Sequence, residues 1–290
     1  MRSTIKIFTN LVLSVCLFAA CDNIPEEERL ISIQETSDEA PITASPSMQR
    51  VLLEDFTGWR CTNCPEAAKT ISELEEKFQD KLIVMAIHGT SFARPNQENH
   101  LLDLRTEQGN HWITNFGISN LPIGMVNRQP YSGSLQIAPP DWENSINAIL
   151  TDENKHTLDL NMGIVLKSTE KKLLVSVETI FLKNCSDAMT LSLVVLESNI
   201  EGVQKNDEPS VGAVPQIDNY MFNHVMREHG SFDNVLTEDN KTYSAGDTIK
   251  KSYLLTCSED WKLNNCKIVC FVSNANTKEI VQVNVLAVPQ

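Results

Sequence analysis

The spacing of apolar residues changes along the chain, and each change marks a region. Ile7 to Ala20 is a predominantly apolar run behind Arg2 and Lys6. It is too short to span a bilayer comfortably and has the form of a secretory signal peptide. From Arg50 the pattern is mixed. Val51-Leu52-Leu53 predicts a short strand, and Ala67, Ile71, Leu74 and Phe78 then recur at helical spacing. Glu66 in the first turn and Lys77 in the last complement the helix dipole. Lys81 to Ile87 predicts a buried strand ending at His88, so the order strand, helix, strand predicts a βαβ unit. Trp112 to Arg128 reads as a helix end, a turn through Gly117, and a strand over Ile123 to Asn127 entered by Pro122. Beyond Leu150 apolar residues alternate instead, as in Thr157 to Met162, Leu173 to Leu182, Thr190 to Leu196, Tyr253 to Thr256, Lys267 to Ser273 and Glu279 to Val288. Six or seven short β segments with no long helical period predict an antiparallel sandwich.

These periods divide the chain into a signal peptide (1–20), an acidic tether (21–47), a mixed α/β domain (48–152) and a β domain (153–290) interrupted by an insertion (199–241). The tether holds Pro25, Glu26-Glu27-Glu28, Asp38-Glu39, Pro41 and Pro46, a composition that buries little apolar surface. The whole chain has 290 residues, 41% of them hydrophobic, which fits two folded domains. Its 24 Lys and Arg against 38 Asp and Glu give a net charge of −14, so no general basic surface exists to neutralise a nucleic acid.

The chemistry gathers at Cys61-Thr62-Asn63-Cys64-Pro65. Two cysteines at i and i+3 of a helix start lie on one face and can close a small disulfide ring. The helix N-terminus and Arg60 would stabilise a thiolate there. On this reading Cys61 is the exposed nucleophile and Cys64 the resolving thiol. A purely structural disulfide is the other reading, because a signal peptide leads to an oxidising compartment. A zinc site is disfavoured, since two further ligands at suitable spacing are not evident. No metal and no cofactor are expected. Cys266 and Cys270 fall on one strand, too far apart to bond to each other. Cys257 and Cys266 flank a hairpin loop and can pair, although Cys185, Cys257, Cys266 and Cys270 allow three connectivities. Within the insertion, Asn223 to Gly230 carries two His, an Arg and a Glu. A loop packed back on the sandwich competes there with a metal or anion site.

The order strand, C-x-x-C at a helix start, strand, helical segment and Gly-Ile-x-x-x-Pro turn resembles a thioredoxin-fold domain, followed by an Ig-like antiparallel β-sandwich. The resemblance implies a cis Leu121-Pro122 bond that leaves the backbone of Leu121 free to pair with an extended substrate chain. Trp59, beside the dithiol, is a second candidate substrate contact. Asp55 lies six residues before Cys61, where thioredoxins carry a buried acid that moves the proton of the second thiol. It is therefore a candidate general base for Cys64, with a solvent-exposed carboxylate as the alternative. Arg60 replaces the usual aromatic residue before the first cysteine, and Ile123 the Thr that often follows the cis proline.

Leu17-Phe18-Ala19-Ala20-Cys21 resembles a bacterial lipobox, which implies lipid attachment at Cys21 and a membrane partner through that lipid. The acidic residues after it match either an export signal to the outer face of the outer membrane or a solvated linker. With FTGWRCTNCPEAA and FNHVMR, the chain resembles the outer-membrane protein family of twenty-eight kilodaltons found in Bacteroidetes-type bacteria. That resemblance implies a lipid-anchored outer-membrane protein, periplasmic or surface-exposed. Two activities are open to it: a thiol-disulfide oxidoreductase acting on protein thiols or disulfides, or a binding protein or adhesin with a structural disulfide. Nothing in the sequence sets its oligomeric state.

Overall fold

In the computed structural model, residues 40–43, 48–96, 102–167, 171–227, 230–238 and 240–290 are described. The signal peptide, Cys21 and most of the tether lie outside them, as do Glu228 and His229. The first half supplies strand β1 (Val51–Thr57), helix α1 (Cys64–Phe78), β2 (Leu82–His88), α2 (Glu107–Asn115), β3 (Ile123–Val126) and α3 (Trp142–Leu150). The second half supplies β4 (Leu158–Lys167), β5 (Lys172–Phe181), β6 (Met189–Glu197), β7 (Ile200–Lys205), β8 (Gln216–Phe222) and β9 (Val225–Met226). It continues with β10 (Ser231–Val235), β11 (Thr248–Thr256), β12 (Cys266–Asn274) and β13 (Ile280–Ala287).

β1 and β2 run parallel with α1 as their crossover, and β3 lies antiparallel on the other edge of β1. The predicted helical positions Ala67, Ile71, Leu74 and Phe78 are all buried. They pack with Val51, Leu53, Val84 and the α3 residues Trp142, Ile146 and Ile149. The opposite face of β1 and β2, with Leu52, Phe56, Met85 and Ile87, packs on α2 through Trp112 and Ile113. This is the period-2 consequence of a strand buried on both sides.

The mixed sheet does not stop at the boundary expected at 152/153. Its order is β13-β12-β6-β9-β2-β1-β3, with β10 also on β6. The join is β9, two residues long, parallel to β2 and antiparallel to β6. The Ala86 N–H donates to His224 O at 2.8 Å and the Arg227 N–H to Val195 O at 2.8 Å. The FNHVMR segment is thus the strip that zips the two halves together. A separate three-stranded sheet, β11-β5-β4, faces the β6 and β12 end of the mixed sheet across a core containing Leu160, Val175, Leu193 and Ile268. The architecture is therefore a mixed α/β sheet with small antiparallel sheets. One layer of the expected sandwich is the far end of the mixed sheet itself.

The insertion departs from the expected loop packed on the sandwich. It contains the hairpin β7–β8, then β9 and β10. Cys185, Cys257, Cys266 and Cys270 are free thiols, so the Cys257–Cys266 pairing is not made. Burial pushes the Cys257 thiol up to about 11 and those of Cys266 and Cys270 to about 12, which leaves them inert.

Candidate functional site

β1 ends at Thr57 and runs into the loop Gly58-Trp59-Arg60 that delivers Cys61; Cys64 is the first residue of α1 and Pro65 the next. Proline is well placed in the first helical turn, where no N–H is needed. Cys61 and Cys64 form a disulfide with Cα atoms 5.4 Å apart. Leu121–Pro122 is cis. Because Phe56 pairs with Ile123, Pro122 enters β3 at the end of the sheet where β1 enters the disulfide loop.

Neither cysteine is exposed. Cys61 is 3% accessible and Cys64 4%, contrary to the expected exposed nucleophile. The β7–β8 hairpin docks on the disulfide loop through hydrogen bonds to its carbonyls. Gln204 Nε2 donates to Cys61 O at 2.9 Å and Gly58 O at 3.4 Å. The Lys205 N–H donates to Trp59 O at 2.7 Å, and the Asp207 N–H to Thr62 O at 3.2 Å. Trp59 is itself buried, packed with Leu104, Phe222 and Val225, and its indole N–H donates to Arg94 O. That placement makes it part of the hairpin's seat.

Asp55 resolves in favour of burial. It is 5% exposed, and its Oδ1 has no hydrogen-bond partner among the described residues. Desolvation lifts its carboxyl from 3.8 to about 7, since the charged form loses its water without gaining a partner. Asp55 and Cys64 line the same cavity, of about 450 Å³, between α1, the end of β1–β2 and the hairpin. His88, Tyr220 and His224 line it too. The His88 ring lies edge-on to Phe222 at 5.3 Å. Burial, then the Asp55 charge, push the Tyr220 hydroxyl up to about 12. His224 Nε2 lies 3.2 Å from a carboxylate oxygen of Glu75 on α1, which ties the end of the hairpin to the helix. Among the described residues no group of three or more His, Cys, Asp or Glu is placed to hold a metal ion.

Sequence reasoning missed Gln204, Tyr220 and the cavity, because the hairpin lies some 140 residues from the disulfide in sequence and its apolar residues do not alternate regularly. The profile of the family described as outer membrane protein Omp28 matches residues 109–290, well over half of the chain. The chain belongs to the Omp28 family. This Omp28-family chain is accordingly a member of an outer-membrane lipoprotein family. No curated protein matches it. Among solved structures it is similar to HBP35 of Porphyromonas gingivalis, with a TM-score of 0.58, 19% identity, and coverage of 84% of this chain and 77% of that one. It is also similar to a protein from Agrobacterium tumefaciens, with a TM-score of 0.51, 13% identity, and coverage of 85% and 97%. At these identities the likeness concerns the fold.

Proposed function

We propose that this Omp28-family chain is a thiol-disulfide exchange protein of the cell envelope, anchored through a lipid on Cys21. The observation that carries the reading is Asp55. A buried carboxyl with an unpartnered oxygen costs stability, and a structural cross-link has no need of one. Dithiol exchange can use one: a group near pKa 7 on the cavity that Cys64 also lines can take the proton of that thiol when the disulfide forms and return it when the disulfide opens. The parallel β1–α1–β2 unit, antiparallel β3 and cis Pro122 support a thioredoxin-like reading of this half. In that reading Cys61 and Cys64 are the exchanging pair and Asp55 the proton carrier, with cis Pro122 at the same end of the sheet.

The burial of both cysteines favours a second reading, a binding protein whose Cys61–Cys64 bond is structural. The equilibrium reduction potential of the pair in the full-length chain, measured in graded thiol buffers, separates the two. A value between about −120 and −270 mV supports exchange; one below about −300 mV supports the structural cross-link.

A further inference from the structure

We propose that the Cys61–Cys64 disulfide is served through the cavity beneath the β7–β8 hairpin, by a low-molecular-weight thiol or disulfide that reacts at Cys64. The inference rests on the exchange reading and names its substrate class. It also inverts the order in which the two thiols would ordinarily act.

Access decides the matter. The backbone on either side of Cys61 is occupied: the carbonyls of Gly58, Trp59, Cys61 and Thr62 all accept hydrogen bonds from Gln204, Lys205 or Asp207. An incoming polypeptide would have to displace this hairpin. Among the described residues lining the cavity, Cys64 is the one cysteine. A volume of about 450 Å³ falls in the range of small-molecule sites and is far too small for a folded protein. Its wall is chemically suited to a polar thiol. The apolar surface of Ile71, Val84 and Ala86 is interrupted by Asp55, His88 and Tyr220. Asp55 is nine-tenths buried and brings an unpartnered oxygen into that wall.

The reaction balances with two equivalents of thiol. The first thiolate attacks Cys64 Sγ, the Cys61–Cys64 bond breaks, and Cys61 leaves as a thiolate that takes up the proton released by the incoming thiol. The second thiol attacks the external sulfur of the mixed disulfide. Cys64 leaves and is protonated from Asp55, which is recharged by the second thiol, and the small disulfide departs. The protein is reduced by two electrons and the thiol oxidised by two; the reverse sequence oxidises the protein.

The test uses the full-length chain in detergent, with Cys61→Ser and Cys64→Ser variants. Each is exposed to 2-hydroxyethyl disulfide or to scrambled ribonuclease, and the modified cysteine is located by peptide mass. The expected result is a mixed disulfide on Cys64 of the Cys61→Ser chain, formed at least tenfold faster than on Cys61 of the Cys64→Ser chain, with neither trapping ribonuclease. Adding Ala68→Phe to the Cys61→Ser chain should slow trapping by filling the cavity wall. If that variant does not fold, a series of symmetrical disulfides of increasing size replaces it, and the rate at Cys64 should collapse once the reagent outgrows the cavity. Faster or equal trapping on Cys61, or capture of ribonuclease, would overturn the inference and leave exchange at the dithiol standing. If neither thiol traps either probe the inference falls, and if the wild-type pair also resists reduction in graded thiol buffers the exchange reading falls with it.

Discussion

Glu54 and Asp55 are neighbours in β1, both buried, and the alternation of the strand sends them to opposite faces of one sheet. On the α2 face Glu54 is fully buried and receives a forked hydrogen-bond pair from Arg128, with Nε at 2.9 Å and Nη2 at 2.7 Å. Arg128 lies over the rings of Trp112, Phe116 and Phe271. Charge, geometry and cation–π contacts are all satisfied there, and the ion pair has nothing left to react with. On the α1 face Asp55 is almost as buried, its Oδ1 has no hydrogen-bond partner among the described residues, and burial pushes its carboxyl up to about 7. Burial alone therefore does not mark a functional carboxylate. What sets Asp55 apart from Glu54 is an unpartnered oxygen on a cavity wall, and the proposed exchange reading rests on that difference.

The largest expected effect lies on the paired side. Arg128→Ala leaves Glu54 charged, buried and alone, and should destabilise the fold by about 3–5 kcal/mol in denaturant titration. A loss below about 1 kcal/mol would show that the pair is not fixed as described. Asp55→Asn should act in the opposite sense. The folded chain holds a proton on Asp55 that the unfolded chain has released between about pH 4 and 7, so wild-type stability falls as pH rises through that window. The variant should lack this slope, which spans about 4 kcal/mol at most, and should exceed wild type in stability at pH 8. Equal slopes in the two proteins would remove the contrast between the faces.

Smaller effects test how the site is closed. Gln204→Ala strips the side-chain donor from the Gly58 and Cys61 carbonyls, and should cost about 1–3 kcal/mol while speeding amide exchange across β7–β8. Unchanged exchange would mean that the hairpin is held without that side chain. Lys77→Ala removes the exposed contact with Glu143 at 2.6 Å and should change stability by less than about 1 kcal/mol.

How much of this was legible depends on the range of the signals. The β1–α1–β2 unit was readable because its evidence is local: helical spacing from Ala67 to Phe78, and a seven-residue strand buried throughout from Leu82 to His88. The C-x-x-C motif and Pro122 were readable for the same reason. β7 and β8 were not, because they are half-exposed, their apolar residues do not alternate regularly, and their register shifts between Gly202 and Gln204. β9 is too short for any periodicity, and its role as the seam of the sheet depends on partners 140 and about 30 residues away. The Glu54–Arg128 pair spans 74 residues, and no local pattern announces it. Asp55 was noticed by its offset from Cys61, but its burial and the missing partner depend on tertiary packing.

The claim that Asp55 is a buried, unpaired acid poised for proton transfer is tested most directly by following its side-chain carboxyl carbon by NMR through a pH titration of the oxidised chain. The account predicts a midpoint near 7. A midpoint near the ordinary aspartate value of about 3.9 would contradict it.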